Sequence, residues 1–376
     1  MPILLRVSAN DTTCRTSLHD GGMTTETPST GRDDPLYLRA RQLVLFRRDP
    51  SIASLQRALR IGHQHATLLR DAMRGDILDC DEQGQNWRIA EGAHNGPDLL
   101  LQEKIAQAAH WVRTAHSMVV AAGAGMGIDS GLPDYRGDEG FWRAYPALGR
   151  SRLRFESIAS PQAFQERPAT AWGFYGHRLS LYRATTPHSG FDLLHAWGLR
   201  MQQGCFVFTS NVDGHFQKAG FPSARVYECH GSLHRLQCTV NCQGSIWPTV
   251  DLYPQVNDAA CEWLGDLPTC PHCGAWARPN IQMFDDWHWN EKRSAQQRML
   301  LDMWLDSAHA PLVIEIGAGR ALPTVRNFTR RMQQRGSRLI RINLHEANIH
   351  NPGDIELALE AKEALEGIAA QLLQHD

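Results

Sequence analysis

The apolar run Met118-Val119-Val120-Ala121 passes directly into AAGAGMGIDSGLPDYRG, residues Ala121 to Gly137, a stretch with five glycines, a proline, two acids and an arginine. An apolar run that stops at glycines reads as a buried strand delivered to a turn that must come close to something, and it restricts the chain to folds in which a strand feeds a helix through such a turn. Glycines at positions 123, 125 and 127 are expected to give the backbone positive φ and close approach to a ligand, as loops that cradle phosphate require. Alone, a G-x-G-x-G carries little information. Its weight comes from two further polar clusters, Thr209 to Gly214 (TSNVDG) and Glu228 to Gly231 (ECHG), each just after an apolar, strand-like run. A nucleotide is the ligand such loops suit.

Strand-like and helical patterns alternate along the rest of the chain. Asp98 suits the N-cap of an amphipathic helix carrying Leu99, Leu100, Ile105, Ala108, Ala109 and Val112. After the strand at 118–121, strands are expected at 205–208, 225–227, 312–316 and 338–342, and helices at about 161–183, 188–203, 291–309, 322–335 and 355–374. That alternation predicts an α/β fold, a parallel sheet with helices on both faces. Ligands bind such sheets beyond the carboxyl ends of the strands, where all three polar clusters fall, together with Gly317-Ala318-Gly319 and Asn343. Taken singly, Gly317 and Gly319 also suit a tight turn. With the first loop they would floor and wall a dinucleotide crevice.

At 376 residues the chain can bury a large core. A formal net charge of -2, from 38 basic and 40 acidic residues, argues against nucleic acid or an anionic membrane as an obligatory partner. No apolar stretch approaches the roughly 18 residues needed to span a bilayer. The start, Met1 to Arg6, lacks the basic region and the apolar length of a secretion signal. Nine cysteines, an odd number, suit a reducing compartment with a metal site, and a cytoplasmic location is expected. Residues 1–35, rich in Thr, Ser, Gly and Asp, are expected to form a disordered tail, and 36–97 a helical extension interrupted at Pro50 and closed by a turn-rich stretch from Asp79 to Pro97.

Cys238 with Cys242, and Cys270 with Cys273, form two thiolate pairs separated by 27 residues. Short spacings let each pair supply two sulfurs to one tetrahedral Zn²⁺. A redox Cys-x-x-Cys would open a helix, whereas Pro268, Pro271 and Gly274 make a turn-rich ribbon. Four sulfurs close the site, so the zinc is structural, and the complete quartet leaves no place for His272. Cys14, Cys80, Cys205, Cys229 and Cys261 read as ordinary or buried thiols.

On these residues the chain resembles the sirtuins, NAD-dependent protein deacylases, over about 98–374. The motifs run in one order through the glycine loop with Gly131-Leu132-Pro133-Asp134-Tyr135-Arg136, then Thr209 to Gly214, His230-Gly231, the zinc cysteines, Arg278-Pro279 with Phe284, Gly317 to Gly319, and Ile342-Asn343. The resemblance implies a Rossmann-like NAD domain with a small zinc-binding module inserted at about 233–279. It implies an acyl-lysine peptide in the cleft between them, added as a strand beside Asn280 to Phe284 and contacting Ile281, Met283 and Phe284. In the implied reaction the acyl oxygen attacks the nicotinamide ribose, nicotinamide leaves, and His230 acts as general base on the ribose hydroxyl, giving deacylated lysine and O-acyl-ADP-ribose. A histidine near neutral pKa suits that proton transfer. Asn211, implied to be catalytic, and Asp213 would hydrogen-bond ribose and carboxamide, Arg136 would pair with the pyrophosphate, and Asp134 would order the loop around nicotinamide. Gly123, Ala124, Gly125, Tyr135, Ser210, Gly317, Gly319 and Asn343 complete the implied cofactor set. Residues 1–97 have no counterpart.

The chain also departs from the family. Sirtuins usually carry Gln at Ser210, Ser at Gly127, Gly-Thr-Ser at Gly317-Ala318-Gly319, Phe at Tyr135, and Phe-Gly-Glu at Phe284-Asp285-Asp286. Each lost hydroxyl or shortened amide would weaken contacts to phosphate and ribose by about 1 kcal/mol unless backbone N–H groups compensate.

Tyr175 and Arg178 stand at i, i+3 on an expected helix and share a face. Similar Tyr-x-x-Arg pairs mark the sirtuins that accept succinyl and malonyl lysine, a guanidinium fork and a phenol matching a terminal carboxylate. An aromatic and an arginine on an ordinary amphipathic helix is the competing reading. An NAD-dependent ADP-ribosyltransferase or NAD glycohydrolase on the same fold, and a non-catalytic NAD-sensing module, stay open as alternatives. His230, Asn211 and Asp213 together argue against the sensor, which needs no base.

Overall fold

The computed structural model describes residues 31–32, 34, 36–81, 83–84, 86–90, 97–133, 137–349, 351 and 353–373. Most of the tail expected over 1–35 lies outside the described residues. The extension folds as three helices, α1 (Tyr37–Arg47), α2 (Ile52–Leu59) and α3 (His63–Ala72), followed by a hairpin of β1 (Leu78–Cys80) and β2 (Trp87–Ile89) in the stretch expected to hold only turns. Ser51 starts α2 just after Pro50, its hydroxyl accepting the Ser54 N–H. Leu43, Val44, Leu55, Leu69, Met73 and Ile77 give this module its own core.

Helix α4 (Pro97–Thr114) begins one residue before Asp98, which therefore stands in the first turn and not at the cap. The chain continues through β3 (Met118–Ala122), α5 (Gly125–Ile128), α6 (Gly137–Ala144), α7 (Pro146–Arg150), α8 (Phe155–Ile158), α9 (Pro161–Glu166), α10 (Pro168–Ala184), α11 (Ser189–Arg200), β4 (Cys205–Thr209), α12 (His215–Lys218) and β5 (Val226–Glu228). The helix expected over 161–183 is thus two helices, broken at Arg167 because Pro168 cannot continue the hydrogen-bond ladder. A ribbon of β6 (Gly231–Cys238), β7 (Ile246–Pro248), β8 (Val256–Asn257), β9 (Glu262–Trp263) and β10 (Ala277–Ile281) follows. Then come α13 (Lys292–Ala308), β11 (Leu312–Ile316), α14 (Thr324–Gln334), β12 (Leu339–Ile342), β13 (Ile355–Leu357) and α15 (Ala361–Leu373).

The main sheet has the order β13-β12-β11-β3-β4-β5, every pairing parallel. Its sixth strand, Ile355–Leu357, falls where a helix was expected, and α15 starts only at Ala361. Along β3, Met118, Val120 and Ala122 join the core under α4, α11 and α15, while Val119 and Ala121 join the core under α13 and α14. The chain winds outward through β4 and β5 on one side of β3 and through β11 to β13 on the other. The reversal between β3 and β11 is the switch point at which such sheets open a ligand crevice.

A third core, including Trp172, Phe174, Tyr175, Leu233, Trp263 and Ile281, joins helices α6 to α10 to the ribbon. The ribbon's own sheet, ordered β10-β6-β7, runs from Gly231 to Ile281, slightly past the bounds expected for an inserted module. Among the described residues no helix is long and apolar enough to cross a membrane.

Candidate active site

Two glycine loops meet at the switch point. The Gly123 N–H donates to the Ile316 carbonyl at 2.9 Å and the Gly125 N–H to the Gly317 carbonyl at 3.0 Å. A Cβ on Gly125 would stand 2.6 Å from Gly317 Cα, one on Gly317 would stand 2.4 Å from Gly125 Cα, and one on Gly123 would stand 2.8 Å from Ala318 Cα. Glycine is required because the two backbones touch. The expectation of positive φ at positions 123, 125 and 127 is corrected: none of the three adopts it, whereas Gly317 does, at 62°. Ala124 is exposed on the same loop. Gly319 has open space where a Cβ would stand. Asn343 supports the second loop, its Nδ2 donating to the Ala318 carbonyl at 2.9 Å while its Oδ1 accepts from the N–H groups of His345 and Glu346.

At the carboxyl end of β4, the Ser210 N–H donates to the Ala122 carbonyl at 3.1 Å, and Asn211 Nδ2 donates to the Gly123 carbonyl at 2.9 Å. Asn211 is thereby locked onto the first glycine loop. Asp213 is buried, its Oδ1 accepting the His215 N–H at 2.8 Å, and burial raises its pKa. A Cβ on Gly127 would stand 2.8 Å from Leu132 Cδ1 and 3.7 Å from Asp213 Oδ2, so the serine usual there would require the Leu132 side chain to shift. Asp134, Tyr135 and Arg136 lie outside the described residues.

His230 stands two residues past the end of β5 and is half-buried. Burial lowers its pKa, and the nearby Ser210 backbone acts against that shift. Its Nε2 lies 3.3 Å from Thr324 Oγ1 at the start of α14, a neighbour the sequence reading missed. Ser210 and Asn211 are thus bonded to the Ala122 and Gly123 carbonyls, and the Cys229 N–H donates to the Thr209 carbonyl at 2.9 Å, which sets His230 at the neighbouring strand end. On its other side the ring opens on a cavity of about 430 Å³ lined by Phe208, Gln282, Arg298, Thr324 and Phe328 among others.

The segment expected to receive peptide continues β10, which is an edge strand of its sheet. The Gln282 N–H donates to the His230 carbonyl and the Phe284 N–H to the Ala159 carbonyl, each at 2.9 Å. Ile281 and Met283 are buried, and Phe284 is half-buried against Phe155. Where the family usually has Gly-Glu, Asp285 adopts φ 53°, and Asp286 takes two N–H groups of the buried Arg278 at 2.7 and 2.8 Å.

Tyr175 and Arg178 do share a face, with the guanidinium 5.8 Å from the Tyr175 ring. Both are buried, Tyr175 stacked on Phe164 with its pKa pushed up to about 12 by burial. Arg178 donates from Nε and Nη2 to Tyr182 Oη at 3.0 and 2.6 Å, and neither residue lines the cavity at His230.

The four ribbon cysteines converge, their Sγ atoms all within 4.8 Å of one another. Cys238 and Cys273 stand 3.7 Å apart, as do Cys242 and Cys270. A tetrahedron of bonds of about 2.3 Å has edges of about 3.8 Å, so the quartet fits Zn²⁺. Turns with φ 48° at Asn241 and 72° at Gly274 fold each pair back on itself.

A model of the Sir2 family matches residues 123–318. The NAD-dependent protein deacylase of Pyrococcus furiosus is 28% identical over 262 residues, 68% of this chain and 93% of that one. The NAD-dependent protein deacylase 1 of Archaeoglobus fulgidus is 29% identical over 266 residues, with 69% and 92% covered. The mitochondrial sirtuin-5 of Danio rerio is 29% identical over 223 residues, with 55% and 67% covered. Among solved structures, a Sir2 homologue in complex with NAD is similar at TM-score 0.55 and 24% identity over 74% of this chain and 94% of that one, a likeness of fold.

Proposed function

This chain belongs to the Sir2 family, and from that premise we propose that it is an NAD-dependent protein-lysine deacylase, releasing nicotinamide and forming O-acyl-ADP-ribose. The observation that carries the reading is the joining of two strand ends: Asn211 bonds the Gly123 carbonyl of the glycine loop, and the Cys229 N–H bonds the Thr209 carbonyl, which brings His230 to the same end of the sheet. It sets a candidate base beside a loop built for a dinucleotide.

The residues present fit NAD. The glycine loops bring bare backbone to the crevice, Gly319 leaves room, and Asn211 and Asp213 offer amide and carboxyl groups. When bound, NAD supplies an activated glycosidic carbon and a leaving group. Burial keeps the His230 imidazole neutral, so it can accept a ribose hydroxyl proton at physiological pH. Thr324 Oγ1, 3.3 Å from Nε2, orients the ring. The substrate peptide adds to the outer edge of β10 at its Ile281 end, which puts the acyl-lysine beside His230 through the Gln282 contact. Zn²⁺ on Cys238, Cys242, Cys270 and Cys273 would hold that strand's sheet together and takes no part in the chemistry.

An acyl-peptide panel with NAD, read by mass spectrometry, tests this. Wild type is expected to yield bare lysine and O-acyl-ADP-ribose, and His230→Ala to be slower by about a hundredfold or more. Free ADP-ribose or ADP-ribosylated protein in place of those products would establish the glycohydrolase or transferase alternative. NAD binding without nicotinamide release would establish the sensor.

A further inference from the structure

We propose that the N-terminal helical module is part of the cofactor site, with Arg60 forming the outer wall of its adenosine end. The proposal rests on the NAD reading above and extends it to residues that precede the Sir2 match at position 123. His230, Asn211 and Asp213 stand beyond β4 and β5, so the reactive half of a dinucleotide lies on that side of the switch point. Its adenosine half must then lie over β11, β12 and β13. A pocket stands there, lined by Gly125, Gly317, Asn343, Leu359 and Glu360, and by Arg60. Every other residue lining it follows position 122. Arg60 is exposed at the rim, on the left-handed turn that ends α2.

Independent contacts hold the module in this place. Arg47 Nη2 donates to Glu360 Oε2 and to Glu363 Oε2, each at 3.1 Å, and Arg47 Nε donates to Glu363 Oε1 at 3.3 Å. Glu360 itself lines the pocket. Asp129, which follows α5, accepts the Lys362 N–H at 2.8 Å, so the turn that Arg47 grips is also tied to the first glycine loop. Burial raises the pKa of Asp129 and of Glu360, and the positive charges of Arg47 and Arg60 oppose this at both carboxyls. The extension thus sets positive charge beside both carboxyls at the mouth of the pocket, and the Arg60 guanidinium would bring a planar cation to a purine face there.

Isothermal titration of the full chain with NAD, ADP-ribose, AMP and nicotinamide decides the matter. Arg60→Gly removes the guanidinium at φ 55°, where glycine is the relaxed residue, so folding is preserved and an unchanged Tm verifies it. The expected result is that NAD, ADP-ribose and AMP all weaken by a common factor of about five to ten, that nicotinamide binding is unchanged, and that Arg60→Lys recovers part of the loss. AMP and ADP-ribose affinities within about twofold of wild type in Arg60→Gly overturn the proposal, as does a loss confined to nicotinamide. A wild-type chain that binds none of the dinucleotide ligands overturns the NAD reading itself; binding by wild type with Arg60→Gly unaffected overturns the role of Arg60 alone.

Discussion

Arg178 donates twice to the phenol oxygen of Tyr182, a weaker acceptor than a carboxylate. Hydrogen bonds to charged groups contribute about 1.5–3 kcal/mol against about 1 kcal/mol for neutral pairs, so a succinyl or malonyl terminus reaching this guanidinium would draw it from Tyr182. Arg178→Met is therefore expected to lower desuccinylation relative to deacetylation by about tenfold, read as the ratio of kcat/KM on matched peptides. An unchanged ratio would remove Arg178 from acyl recognition. At this scale the sequence marked positions better than reasons. Gly125 and Gly317 stood out as glycines, but the need for them is each other's backbone, a contact between segments 192 positions apart in the chain (317 − 125). Thr324 and Arg60 carried no local signal, because only tertiary folding brings a helix start and a helix end to the site.

Among elements, the ribbon governs the peptide side of the crevice. Cys238 pairs in register with Ala277, and the same two strands run down to Gly231 and Ile281, beside His230. Removing zinc by chelation, or Cys270→Ser, is expected to abolish deacylation while leaving ADP-ribose affinity within a few-fold, since the glycine loops belong to the other sheet. Full turnover in protein shown by elemental analysis to be metal-free would contradict this. The parallel strands were legible because each is a short apolar run buried on both faces. Ile355–Leu357 was not, because its Ile-Glu-Leu alternation runs on into Leu359 and the apolar positions of α15, blurring two periods into one. The hairpin β1–β2 was hidden by strands only three residues long.

Across the whole molecule, His188 joins α11 to the cofactor loop. Its Nε2 donates to the Met126 carbonyl and its Nδ1 accepts the Gly190 N–H, each at 3.0 Å, so protonation would break the second bond. Burial pushes its pKa down to about 4, with Lys362, Glu366 and His215 as its charged or titratable neighbours. The unfolded chain binds that proton near pH 6.5, so this contribution to stability is complete above about 6.5 and is lost as pH falls toward 4, amounting to about 3 kcal/mol. Unfolding midpoints measured down this range should fall more steeply for wild type than for His188→Asn; parallel slopes would refute it. The division into two halves of a sheet about a switch point was readable from the order of apolar runs and polar clusters. The third core was not, since α6 to α10 and the ribbon show their shared apolar surface only once both are folded.

The border strand β10 bears on how the protein avoids sticking to itself. Along its outer side the Ala277 N–H is already taken by the Pro268 carbonyl, the Ala277 carbonyl by the Trp172 indole, and Pro279 has no N–H to give. A neighbouring molecule's strand cannot zip along this margin, and only the short run from Ile281 onward can welcome a guest. The site thus admits a brief extended tail and turns away a sheet, keeping a hospitable border from becoming a seed for aggregation.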